Sequence, residues 1–327
     1  MMLALISSGL LGETPPLVWL GFLVLVFIFL ALDLGVFNRD PHAISNKEAG
    51  IWTAVWIALA LIFNAGVWWV EGGEKGLEFL TGYLIEKSLS VDNLFVMVLV
   101  FTSFGVPKKY QHRVLFWGIL GALVSRGVMI LLGAALVQRF EWVLYVFGGF
   151  LVFTGIRMLL THGDPPDPTK NMALQLFKRF VPTTNTIDGG HFLTKENGRT
   201  LATPLLVALV VIEAMDIVFA VDSIPAIFAV TTDPFIIFTS NVFAILGLRS
   251  LYFLLANVIE RFVHLEIGLA IILAYVGVKM LLGIWDLHIH NLVSLAVILS
   301  ILVITTLTSV IANRRRERAE ALTEDRR

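Results

Sequence analysis

Cysteine is absent from this chain of 327 residues. No disulfide framework and no thiolate metal site can form, so any bound metal has to be held by carboxylate, amide, hydroxyl, backbone carbonyl or imidazole. Charge is scarce as well: 15% of the residues are Asp, Glu, Lys or Arg, where a soluble domain carries about a quarter. Also missing are a G-x-x-x-x-G-K-[ST] phosphate loop, an H-E-x-x-H pair and a nucleophile elbow. Their absence removes the sequence grounds for direct ATP coupling through a P-loop and for the common hydrolase chemistries. The opening stretch MMLALISSGLLGETPP has neither a basic n-region nor an A-x-A cleavage signal, and reads as a short external tail. What is plentiful is apolar surface, with 57% hydrophobic residues and a mean hydropathy of +0.84. That balance suits a lipid-facing exterior, and a lipid bilayer is the expected surroundings. No nucleic acid partner and no permanently bound cofactor are expected.

A helix needs about 20 apolar residues to cross the hydrocarbon core. Nine stretches qualify, roughly 16–37, 51–70, 77–102, 114–137, 140–160, 202–224, 235–256, 265–283 and 291–312. The runs are continuous rather than alternating, which excludes barrel strands. With the N-terminus outside, nineteen Lys and Arg fall in inner loops, in the inner parts of the adjoining spans (Arg157, Arg249) and in the C-terminal tail. Only Lys75 and Arg139 fall in outer loops, while Lys87, Arg126 and Lys279 lie within spans. Basic residues gather on the cytoplasmic side, so this split supports nine spans, N-terminus outside and C-terminus inside. Losing one span would reverse every later loop. The chain then divides into 1–75 (external tail and two spans), 76–160, a cytoplasmic loop 161–200 containing Pro165, Pro166 and Pro168, 201–284, and 285–327 (last span and basic tail).

Segments 76–160 and 201–284 resemble each other. Gly155-Ile156-Arg157-Met158-Leu159 matches Gly277-Val278-Lys279-Met280-Leu281 at an offset of 122, Arg126 matches Arg249 at 123, and Asp92 matches Asp216 at 124. Each unit holds three spans, an odd number, so the second enters the membrane from the opposite side. The predicted fold is an all-α polytopic membrane protein of about nine transmembrane helices with an inverted repeat of three helices each. Inverted repeats are a recurrent build of secondary transporters, whose ion sites lie near the midplane where the repeats meet.

The first span of each repeat carries the acidic residues. GYLIEKSLSVDNLFVMVLV holds Glu86, Asp92 and Asn93; VIEAMDIVFAVDSIPAIFAV holds Glu213, Asp216, Asp222 and Ser223. A carboxylate at the centre of a span costs roughly 2.5–3.5 kcal/mol, so five of them require a bound cation, protonation or basic partners. Lys87, Arg126 and Arg249 can neutralise some of that charge; the two arginines lie on other spans and read equally as interface anchors. Glu213 and Asp216, three apart, share a helix face, but Asp222 is six beyond Asp216 and on a straight helix points elsewhere. Pro225 offers a solution, since it removes an amide and disfavours helix before it. A helix broken near Asp222 would free backbone carbonyls beside the carboxylates. The ligand set is then all oxygen, which suits Mn²⁺, Ca²⁺ or Mg²⁺. Asn241, close behind the second motif, reads as a supporting residue.

FLTGYLIEKSLSVDNLFV, EAMDIVFAVDSIPAIFAVTTDPFI and TSNVFAILGLRSLYFLL resemble the signature of the TerC family, and of its Alx branch in particular; TIDGGHF and ATPLL of the inner loop are also similar. The resemblance runs from about Trp19 to Ile311. It implies a membrane protein linked to Mn²⁺ homeostasis, generally export, and a family name associated with tellurium resistance. It also implies that Glu86, Asp92, Glu213, Asp216 and Asp222 stand at the family's acidic positions. The expected function is secondary transport of a hard divalent cation, Mn²⁺ on the resemblance, with protons as counter-ion, in a bacterial inner membrane. The chain is not expected to be an enzyme. The alternative is a metal-binding membrane scaffold or sensor in metal or tellurite stress.

Overall fold

The computed structural model describes residues 14–37, 45–160, 168, 171–196, 198–256, 265–287 and 289–324. Most of the external tail, and Pro165 and Pro166 of the inner loop, lie outside the described residues. Helices α1 (Pro16–Phe37), α2 (Asn46–Glu71), α3 (Gly73–Ser103), α4 (Lys108–Arg139) and α5 (Val143–Leu160) lead to a connecting segment of α6 (Met172–Phe180), β1 (Leu193–Glu196) and β2 (Arg199–Ala202). Then follow α7 (Pro204–Phe228), α8 (Pro234–Leu246), α9 (Leu248–Leu255), α10 (Leu265–Leu282) and α11 (Asn291–Glu324). Local signals set several starts. Ser45 caps α2 by accepting from the Glu48 amide, Asp233 caps α8 by accepting from the Phe235 amide, and Pro204 and Pro234 open their helices where no amide bond is required.

By length and apolarity seven helices can cross a membrane: α2, α4, α5, α7, α8 with α9, α10 and α11. The described apolar part of α1, Pro16–Leu32, is shorter, and α3 is studded with Glu74, Lys75, Glu78, Glu86, Lys87 and Asp92. Contacts nevertheless sort many of the helix ends into two groups. At one end, Lys75 pairs with Asp233 at 3.0 Å, Lys279 donates to Asn291 at 3.0 Å, Trp68 covers Gly76 and Trp19 meets Phe235 edge-on. At the other, Tyr252 donates to Gln111 at 3.0 Å, Gly50 lies beside Leu254 and Arg113 stands over the Phe192 ring. Among the described residues α3 reaches both groups, from Lys75 at one end to Phe101, which meets Tyr252 edge-on, at the other.

The two triplets interlock reciprocally. The first helix of each packs on the second of the other, α3 on α8 and α7 on α4, while the third helices α5 and α10 pack on each other. The α5–α10 contact is two-fold in detail. A Cβ on Gly277 would meet the Gly148 carbonyl at 2.6 Å, and one on Gly155 the Ala270 carbonyl at 2.7 Å. At an offset of 122, Gly148 corresponds to Ala270 and Gly155 to Gly277, so each position touches the partner's counterpart, as in an isologous interface. Small residues let the backbones close to this distance.

The break expected near Asp222 is not there: α7 is helical from Pro204 to Phe228, with Pro225 inside it. Pro225 stands in the last turn, so it withholds one amide from Val221 while the chain beyond it keeps bonding, Ala229 donating to the Pro225 carbonyl at 3.2 Å. The interruption lies instead at Gly247, between α8 and α9. There the half-buried Lys87 ammonium donates to the Ala244 carbonyl at 3.2 Å, satisfying one of the acceptors a helix end leaves open.

The segment between α5 and α7 is folded onto the bundle. α6 buries Leu174, and Asn171 at its start reaches the Met215 sulfur of α7 at 3.2 Å. β1 and β2 pair antiparallel around Gly198, which takes a φ of 76°. Thr203, at the start of α7, donates to the His191 and Phe192 carbonyls.

Candidate functional site

Glu86, Leu89 and Asn93 recur at i, i+3 and i+7 on α3; Asp216, Phe219 and Ser223 repeat that spacing on α7. Such spacing puts each trio on one helix face, and the two faces meet in the middle of the bundle. Arg126 of α4 enters between them with 1% of its surface exposed. Its Nε and Nη2 donate to the two oxygens of Asp216 at 3.1 and 2.8 Å, a bidentate fork. Its Nη1 pairs with Glu86 and reaches the Ser223 hydroxyl at 3.3 Å. Asn93 donates to Asp216 at 3.4 Å and Asn241 of α8 to Glu86 at 3.1 Å. Every oxygen of both carboxylates thus has a donor. The amide oxygens of Asn93 and Asn241 are buried acceptors with no hydrogen-bond donor.

Beside this cluster lies a cavity of about 110 Å³, lined by Glu86, Asp92, Asn93, Asp222 and Ser223, with Arg126 and Thr154 in its wall. It is room for roughly three or four waters at liquid density. The remaining lining is apolar, from Leu89, Met158, Phe219 and Leu273. Asp222 is served by the Thr154 hydroxyl, with Arg157 nearby, whereas Asp92 feels the like charge of Glu266 on α10.

Of the seven residues proposed from sequence, five line this cavity and Asp216 joins them through Arg126. Glu213 goes elsewhere. Its carboxyl lies against Gly121 of α4, where a Cβ would stand 2.2 Å from Oε1. Among the described residues, no three acidic or histidine side chains stand close enough to hold one ion in this conformation. Arg126 is the reason for two of them, since it occupies both Glu86 and Asp216. The arginine's central place and Thr154 were not legible beforehand. The one available signal for Arg126 was a lone basic residue at mid-span beside an excess of acids.

Known proteins resemble this chain over almost its whole length. The description "Integral membrane protein TerC family" matches residues 71–317. The chain belongs to the TerC family. That match takes in α3 to most of α11, hence both repeats and the cavity between them. A protein of Myxococcus xanthus, "Uncharacterized membrane protein STKORF319", is 53% identical over 306 residues, covering 94% of this chain and 96% of its own. "Putative membrane-bound redox modulator Alx" of Escherichia coli (strain K12) is 49% identical over 312 residues, with 93% and 97% covered. An uncharacterized membrane protein of Rickettsia bellii is 38% identical over 289 residues, with 88% and 93% covered. No solved structure matches this TerC protein.

Proposed function

We propose that this TerC protein is a secondary transporter that exports a hard divalent cation, Mn²⁺ in the first instance, from the cytoplasm. In this reading it sits in the inner membrane with its N-terminus outside, and protons are the counter-ion. The observation that carries the reading is the buried cavity between the two repeats, lined by Glu86, Asp92, Asn93, Asp222 and Ser223. Oxygen donors of this kind suit Mn²⁺, Ca²⁺ or Mg²⁺, and a site between inverted repeats is where transporters hold their ions. Asp92 and Asp222, which Arg126 does not engage, are the first ligands. Glu86, Asp216 and the Asn93 oxygen complete the set, and Glu213 stands three residues before Asp216, on the cytoplasmic side of it. The redox role in the name of the Alx relatives has no thiol route in a chain without cysteine.

The test is Mn²⁺ flux into vesicles containing only the purified protein. Wild type should move Mn²⁺, and Asp92→Asn and Asp222→Asn should each lower the flux at least tenfold while inserting normally. Wild-type flux in both variants would remove the cavity as the site. One observation favours a second reading, a metal sensor or scaffold in metal or tellurite stress: the connecting segment is a docked platform, held by Arg113 against Phe192 and by Thr203. Metal binding without flux in the same vesicles selects that reading.

A further inference from the structure

We propose that Arg126 is a tethered counter-cation which the cargo ion must displace from Asp216 and Glu86, and which returns to expel it. This rests on the transport reading above. A guanidinium does not lose its charge in a protein; it makes way for a metal only by moving. In the described conformation it uses Nε, Nη1 and Nη2 on Asp216, Glu86 and Ser223. Both carboxylates are thereby held by the guanidinium, Glu86 at the edge of the cavity and Asp216 behind it. What is left for an ion is Asp92, Asp222 and the Asn93 amide oxygen. Those three supply half of the six oxygens a hard octahedral cation takes, with water filling the rest, so an ion bound there stays largely hydrated until Glu86 and Asp216 are recruited.

The structure also contains a place for the displaced group. The Asn241 amide oxygen is buried and without a donor, and the same side chain already contacts Glu86. It does not line the cavity, whereas Asn93 does. The two orphaned amide oxygens therefore divide the work: Asn93 faces the ion, and Asn241, with the Ser223 hydroxyl, receives the guanidinium once the carboxylates turn to the metal. Each amide already gives its nitrogen to a carboxylate, which fixes its oxygen as the free acceptor. Arg126 thus sets the affinity low enough for release, a condition every carrier must satisfy.

The experiment measures equilibrium Mn²⁺ binding in detergent and Mn²⁺ flux in vesicles for wild type, Arg126→Gln and Arg126→Lys. Removing the competitor should tighten binding at least tenfold in Arg126→Gln while flux falls at least tenfold. Arg126→Lys keeps the charge and loses the bidentate fork, so its affinity should lie between the other two, and it decides the matter if the Gln variant does not fold. A structural lock predicts the opposite sign: folded variants that bind Mn²⁺ more weakly than wild type overturn this proposal and leave the transport reading standing. Wild type that binds no Mn²⁺ overturns both.

Discussion

Adding one methyl group at Gly155 or Gly277 should pry the two repeats apart. At position 277 the new Cβ would sit 2.6 Å from the Gly148 carbonyl oxygen and 2.8 Å from the Val152 amide nitrogen. At 155 it would sit 2.7 Å from the Ala270 carbonyl and 2.8 Å from the Ala274 nitrogen. These neighbours are backbone atoms and cannot swing aside, so α5 and α10 must separate. Overpacking of this kind costs about 1–3 kcal/mol. Alanine also gains up to about 1 kcal/mol over glycine within a helix, so the comparison needs a mid-helix glycine with free space around it. Gly149 is one, with nothing within 4 Å of its would-be Cβ. Propensity cancels in that comparison. Gly155→Ala and Gly277→Ala should each be less stable than Gly149→Ala by about 1–3 kcal/mol. The double variant should lose less than the sum, because the first methyl already opens the space the second needs. Unfolding in mixed micelles titrated with SDS, followed by tryptophan fluorescence, measures all four. Equal stabilities for the three single variants would refute the close backbone packing, and with it the two-fold contact on which the inverted repeat rests.

Two further outcomes are expected. Single cysteines introduced at positions 185 and 286 of this cysteine-free chain should be labelled by an impermeant reagent from inside and outside respectively; external labelling at 185 contradicts the orientation. Lys87→Met keeps the volume but strands the Ala244 carbonyl, so the protein should lose about 1–3 kcal/mol in the same SDS titration. Its Mn²⁺ affinity should stay within about threefold of wild type, because Lys87 bonds a helix end rather than a carboxylate; a larger change would place Lys87 in the ion site.

The acidic residues and the repeat were legible because both are properties of the linear sequence: buried carboxylates in a span are rare and costly, and a duplication shows as an offset. Their partners were not, because a linear sequence does not set the register between helices. Arg126 is 40 residues from Glu86 and 90 from Asp216, and nothing along the chain distinguishes it from Arg249. Glu213 illustrates a different limit. Its spacing from Asp216 places it on the same broad face, yet the space left by Gly118 and Gly121 draws its carboxyl to α4. Pro225 misled because a rule about helix interiors was applied to a last turn, where one missing amide changes little.

The repeat also bears on how Arg126 can leave the carboxylates. Asn93 touches Asp216, the counterpart of its neighbour Asp92 at the offset of 124. A position that touches the counterpart of its neighbour lies close to the pseudo-two-fold axis, so the site stands beside that axis. The chemistry across the axis is nonetheless unequal. At that offset Glu86 corresponds to Val210, and Arg249, buried on α9, is not among the residues lining the cavity. Transporters with inverted repeats change the side they face when the two repeats exchange conformations. Here that exchange would give Arg126 the setting Arg249 has now, away from the cavity, without any need to neutralise its charge. The displacement of the guanidinium and the change of facing side would then be one movement, and an ion could bind fully only as the repeats exchange.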